Sequence, residues 1–279
     1  MVNGPRTNTA AEVPALGDAG DVRRAVGGLA EGCAVAHGFG NFYALTARAD
    51  RAVVERVNRM KGRPAEQAAS VTTVREQVRS VFDWSLLPPQ LPRRQIEDLV
   101  EELFLLGPFG FRGPAATRVP PHLTVVRDGM PTVQLIGPGY RCPSNAFLAA
   151  ALERTSTRFL SITSVNRSRH LTGAAHEPAH WRAAGVLAEF GHESGVRVLG
   201  HDDEAAARRR HPHHALTSTT VLSFHHVPGD GGSKPPALTL ERHGSLSADH
   251  TRAVAANHGF SLRIVPQAAR RLVARAYED

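Results

Sequence analysis

Residues 94–106, RQIEDLVEELFLL, repeat their apolar side chains at helical spacing and stop at Gly107-Pro108. No other stretch holds one period so cleanly. Elsewhere helix-like and strand-like segments are short and alternate, cut by 25 glycines and 19 prolines. Both residues interrupt regular backbone ladders, glycine by its entropy and proline by its missing amide hydrogen. A long bundle or coiled coil is therefore excluded, and there is no internal repeat. The mixture predicts one α/β (α+β) domain.

The coarse order is as follows. A helix is expected at 21–29 with Asp21 as cap, and a strand at 33–36. Another helix is expected at 50–60, capped by Asp50, with Val53, Val54, Val57 and Met60 on one face. Gly62 and Pro64 stop it. Strands are expected at 122–126, 132–136 and 159–163, with a helix at 146–152 between the last two. A helix at 181–190, a strand at 196–199, a basic loop at 208–214, and strands at 219–224 and 237–240 follow. Helices at 252–258 and 267–277 close the chain. Residues 1–20 lack periodicity and are expected to form a flexible arm, leaving 21–279 as the folded domain.

With 42% hydrophobic residues the chain can build a core without staples, and its two cysteines, Cys33 and Cys142, exclude a disulfide framework. No apolar stretch is long enough to span a bilayer, and residues 1–20 lack the basic head and apolar core of a signal peptide. A soluble, cytoplasmic protein without membrane contact is expected. The formal charge of +7 favours polyanionic partners such as nucleotides, phosphates or RNA. Only Lys61 and Lys234 among the 33 basic residues are lysine. A lysine kept against that bias supplies a compact point charge that arginine's planar fork does not reproduce.

Several motifs carry possible chemistry. His176-Glu177-Pro178-Ala179-His180 fits the HExxH pattern of zinc peptidases, but Pro178 opposes the helix that would put both histidines on one face, so no protein-bound zinc is expected. Lys61-Gly62-Arg63-Pro64 follows a strong helix. Its cations form either a solvated helix cap or a clamp converging on one anion. Ser164-Val165-Asn166-Arg167-Ser168 follows a strand with hydroxyls, an amide and a guanidinium. It is either an ordinary polar turn or a phosphate-recognising strand end.

These two motifs stand in order with Arg141-Cys142-Pro143, Ser218-Thr219-Thr220-Val221 and Arg242-His243-Gly244. Together, over about residues 20–265, they resemble the YrdC-like family, which includes enzymes that make L-threonylcarbamoyl-adenylate for tRNA modification. The resemblance implies a twisted mixed β-sheet flanked by helices around a large, basic, concave pocket. It also implies that an amino-acid amine captures bicarbonate as a carbamate, which attacks the α-phosphorus of ATP and displaces pyrophosphate. Magnesium would arrive with the triphosphate. Lys61, Arg63, Ser164 and Asn166 would then be the catalytic set, with Gln67, Thr172 and Arg242 joining Lys61, Arg63 and Ser164 on ATP. Asn41, Tyr43, Arg141 and Ser218 would face the amino acid. Departures gather on that side: Asn41 replaces a threonine and Thr72 a histidine, with Gly137 and Thr163 also differing from the usual residues.

The resulting expectation is ATP-dependent formation of a carbamoyl-adenylate, with threonine as the first candidate amino acid and tRNA or a downstream carbamoyl-transfer protein as partner. The alternatives are carbamoyl transfer from another amine to another acceptor, and a non-catalytic nucleotide- or RNA-binding protein. The content of aromatic residues, 6%, argues against a base-stacking platform in the last case.

Overall fold

The computed structural model describes residues 13–172, 177–228 and 235–277. In chain order the regular elements are α1 (Ala19–Ala30), β1 (Ala34–Phe39), β2 (Phe42–Arg48), α2 (Arg51–Met60), β3 (Ser70–Thr72), α3 (Arg93–Leu106), β4 (Phe109–Pro114), β5 (Thr124–Arg127) and β6 (Met130–Gly137). Then come α4 (Ser144–Thr155), β7 (Leu160–Ser164), α5 (Arg169–Thr172), α6 (Ala183–Phe190), β8 (Val196–Leu199), α7 (Glu204–Arg210), β9 (Thr220–Ser223), β10 (Ala237–Arg242), α8 (Ala248–Asn257) and β11 (Ser261–Ile264).

All strands join one sheet in the order β11-β10-β9-β4-β6-β3-β7-β2-β1-β8, with β5 paired to β6 as a hairpin. The pairs β1–β8, β3–β6, β4–β9 and β10–β11 are parallel and the others antiparallel, so the sheet is mixed as expected. Helices cover it where their apolar stripes demand. Ile96, Leu99, Val100, Leu103 and Phe104 of α3 pack into the cluster that holds Phe109, Phe111 and Leu135. α1 and α4 bury Leu29, Phe147 and Leu148 near Val35, Leu160 and Leu199. α2 and α6 bury Val53, Val57, Val186 and Phe190 among Tyr43, Leu45 and Ala47.

Three expectations change. Within the arm placed at 1–20, residues 1–12 lie outside the described residues, whereas Leu16 is buried, Ala15 bridges to Gly200, and α1 starts at Ala19 with Asp18 rather than Asp21 as its cap. The basic loop expected at 208–214 begins as the last turn of α7, because Asp203 accepts from the amides of Ala205 and Ala206 and seeds a helix upstream. The helix expected at 267–277 does not form. There, the Leu272 amide donates to His243, Trp181 Nε1 to the Arg275 carbonyl, and Arg275 to Pro178, so the tail's polar groups are satisfied by other segments.

Candidate active site

One face of the sheet, over β2, β7, β3, β6 and β4, forms the floor of a cleft of about 370 Å³. Its apolar part includes Phe42, Ala44, Ile136 and Ile162. Its polar part includes Arg63, Gln67, Ser70, Arg112, Gln134, Ser164, Ser218 and Arg242.

The loop leaving α2 is shaped by its own side chains. Asn58, buried on the helix, donates through Nδ2 to the carbonyls of Ala65 (2.9 Å) and Gln67 (2.7 Å) and so folds residues 62–67 back on the helix end. The turn after β7 is tied to the same place, with the Ser168 amide donating to the Lys61 carbonyl at 2.8 Å and Arg167 to the Met60 carbonyl. The two motifs singled out in the sequence are thus one structural unit.

Lys61 and Arg63 part company inside it. Lys61 is fully buried, and its ammonium donates to the Ser164 carbonyl and to Thr163 Oγ1 at 3.3 Å. Burial, with the nearby Arg63 and Arg167 charges, holds its pKa well below the usual lysine value, against the opposing pull of Glu189. Arg63 reaches the cleft wall, steadied by Nη1 donating to the same Thr163 hydroxyl at 2.8 Å. Opposite, Arg242 donates to the Thr219 carbonyl and hydroxyl, each at 2.7 Å. Its pKa is pushed down to about 10, first by burial and then by the Arg112 and Arg63 charges, with Glu241 acting against them. Arg112 is fixed by Glu241 and Gln134, both at 2.7 Å, and Gln134 in turn donates to Ser70 Oγ at 2.9 Å. Three guanidiniums within reach of each other's fields and one neighbouring carboxylate make a site that is short of negative charge.

Of the residues expected at the site, Arg63, Gln67, Ser164, Ser218 and Arg242 line the cleft together. Lys61 and Asn166 stand one layer behind: Ser164 Oγ donates to Asn166 Oδ1 at 2.5 Å, so both orient Ser164 rather than form the wall. Thr172 ends α5 outside the lining. Tyr43 points to the opposite side of β2, where its hydroxyl donates to Glu204 Oε1 at 3.0 Å, while its strand neighbours Phe42 and Ala44 face the cleft. Asn41 is buried and donates to the His214 carbonyl at 2.6 Å, and Arg141 is exposed in the turn before α4. None of Thr172, Tyr43, Asn41 and Arg141 is brought to the cleft. Arg112, Gln134 and Ser70 were not anticipated. The signal for Arg112 and Gln134 is a charged or amide residue set inside otherwise apolar strand sequence, Phe111-Arg112-Gly113 and Val133-Gln134-Leu135, whereas Ser70 carries no comparable signal.

The HExxH match falls partly outside the described residues, at His176. His180 bridges Glu189 Oε2 (2.7 Å) and the Tyr277 hydroxyl (2.9 Å). Among the described residues no group of three or more His, Cys, Asp or Glu side chains gathers as a metal site, and no helix is long and apolar enough to cross a membrane. Lys234 also lies outside the described residues.

No family model matches the sequence, and no curated protein matches it either. Solved structures do resemble the fold. Sua5 of P. abyssi complexed with L-threonine is 22% identical, with 89% of this chain and 60% of that one covered at a TM-score of 0.61. A variant of the same protein gives 22% identity, 89% and 59% coverage and a TM-score of 0.62. The hypothetical protein smu.1377c from Streptococcus mutans UA159 is 14% identical, with 88% and 94% covered and a TM-score of 0.61. The chain thus spans about 60% of the length of the Sua5 structures. A single mixed sheet flanked by helices, matched over most of this chain, makes its fold that of the YrdC/Sua5-like proteins.

Proposed function

We propose that the chain is an ATP-using enzyme that forms a carbamoyl-adenylate from an amino acid and bicarbonate and releases pyrophosphate. The observation that carries this is the charge-deficient cleft itself. Arg63, Arg112 and Arg242 face a space lined by the Ser164 and Ser218 hydroxyls. Such a site suits a reaction that needs no side-chain nucleophile. The amine takes up bicarbonate as a carbamate, the carbamate oxygen attacks the α-phosphorus, and pyrophosphate departs toward fixed positive charge. Arg63 and Arg242 hold the phosphates, Ser164 donates or accepts at the carbamoyl end, and Lys61 with Asn166 keeps Ser164 in place. Magnesium accompanies the triphosphate as part of the substrate. The L-threonine bound to P. abyssi Sua5 makes threonine the first amino acid to try. Downstream, tRNA or a carbamoyl-transfer protein would take the product.

The test is pyrophosphate release from ATP and bicarbonate with each amino acid in turn. Threonine-dependent release is the expected result. Release with a different amine moves the chain to carbamoyl chemistry with another donor. No release with any amine, together with salt-sensitive RNA binding, overturns the enzyme reading in favour of a binding protein.

A further inference from the structure

Past Arg112 the same sheet continues into a second lobe of about 750 Å³, lined from β4, β9, β10, β11 and the β5–β6 hairpin. The two lobes share Arg112, Arg127, Gln134 and Arg242 as their dividing wall. Ser223, at the end of β9, lines the second lobe. Its Oγ is 2.8 Å from His225 Nδ1, and His225 Nε2 is 3.0 Å from Asp128 Oδ2.

The proton positions in this chain follow from the donor inventory. An ionised carboxylate only accepts, so Nε2 carries the ring proton and donates a hydrogen bond to Asp128. That leaves Nδ1 of a neutral imidazole as an acceptor, and the Ser223 hydroxyl donates to it. Three elements supply the charges around the ring: Asp128 from the hairpin, Glu241 from β10 and Arg112 from β4. Burial lowers the His225 pKa below its ordinary value, with Glu241 and Asp128 acting against it and Arg112 with it. The base is therefore unprotonated at neutral pH. Asp128 is fixed by a left-handed turn with Gly129 at the hairpin tip, where an aspartate tolerates φ of +48°. Arg112 lies in register beside Ser223 on the neighbouring strand, so the two side chains leave the same face of the sheet. Arg127 and Arg263, both exposed, line the lobe and make no ion pair among the described residues.

We propose that the second lobe is an acyl-transfer site adjoining the first, in which Ser223 is the nucleophile, His225 its base and Asp128 the group that orients the ring. The substrate class is an ester or carbamoyl ester carrying a negative group, drawn by Arg127 and Arg263. Ser223 Oγ bonds to the carbonyl carbon as its proton passes to His225 Nδ1. The bond to the leaving oxygen breaks, and that oxygen takes the proton. Water then releases the acyl group from Ser223 by the same route. Arg112 faces the charge that develops on the carbonyl oxygen. The ring nitrogens exchange roles relative to the usual serine–histidine–aspartate order, which changes neither the charge balance nor the proton path.

The experiment uses the intact chain and a fluorophosphonate probe, which bonds to an activated serine and expels fluoride. The expected result is one adduct, mapped to Ser223 by mass spectrometry and lost in Ser223→Ala. His225→Gln should slow labelling about a hundredfold or more. Because that variant could unfold, the native chain is also labelled across pH. Its rate should rise with pH and reach half its maximum below pH 6.5, where the lowered His225 gives up its proton. Absence of an adduct on Ser223, equal labelling of a folded His225→Gln chain, or a pH-independent rate each overturns the assignment.

Discussion

At the scale of residues, Lys61 and Arg63 show how two cations two positions apart do different work. Lys61 has no exposed surface and holds the Ser164 carbonyl, whereas Arg63 stands at the cleft wall. Truncating Lys61 removes its bonds to Ser164 and Thr163 and leaves a void at a fully buried position, so Lys61→Ala should cost about 2–4 kcal/mol, read from the urea midpoint. Arg63→Ala should change the midpoint far less and instead lower pyrophosphate release by about 100- to 1,000-fold, as loss of one charge-stabilising donor does. Equal midpoint losses for the two variants would mean that the division of labour is wrong. The sequence made both residues conspicuous, through the rarity of lysine and the glycine between them. It held no sign of which would be buried, because that depends on Thr163 and Ser164 arriving from 100 residues away.

At the scale of elements, legibility followed periodicity. α3 was readable because one face of it meets the core and the other meets water. β2 was not read as a strand because its residues are buried on both sides, Tyr43 and Leu45 among helices and Phe42 and Ala44 under the cleft, so no alternation of polarity survives. β4 (FGFRGP) reads as a loop in isolation, yet it pairs with both β6 and β9. Its Gly113 is required by closeness rather than by a turn, since a Cβ there would lie 2.3 Å from Phe224 Cε2. The turn from β6 to α4 meets the end of α3 in the same way. Gly139 has a φ of +81°, and a Cβ on it would fall 2.5 Å from the backbone carbon of Gly107. Neither backbone can yield cheaply, so Gly139→Ala should destabilise by about 2–4 kcal/mol, combining left-handed strain with overpacking. An unchanged urea midpoint would show that the two turns move apart freely.

At the scale of the whole molecule, the arginine-rich composition becomes directional, because Arg63, Arg112, Arg127, Arg242 and Arg263 all border the connected lobes on one face of the sheet. The same chain buries several histidines, and these set how it responds to acid. His37, His201 and His211 are each pushed down to about 4 and His214 to about 3, burial being the largest cause in every case. His37 has its ring nitrogens near Thr46 Oγ1 and the Gly38 carbonyl, and Arg210 adds to the lowering at His201 and His211. The unfolded chain returns each imidazole to about 6.5 and therefore binds more protons than the folded one between that pH and about 4. The stabilisation from keeping these rings neutral is complete above pH 6.5 and is lost as pH falls through the window, by up to about 1.4 kcal/mol per pH unit for each histidine. The net positive charge works in the same direction, since protonating carboxylates on a chain already at +7 increases self-repulsion. The melting temperature should thus be flat from pH 8 to 6.5 and then fall steeply toward pH 4.5, and His214→Gln should flatten part of that fall. A native chain whose melting temperature holds level down to pH 4.5 would show that these rings accept protons in the folded state without cost.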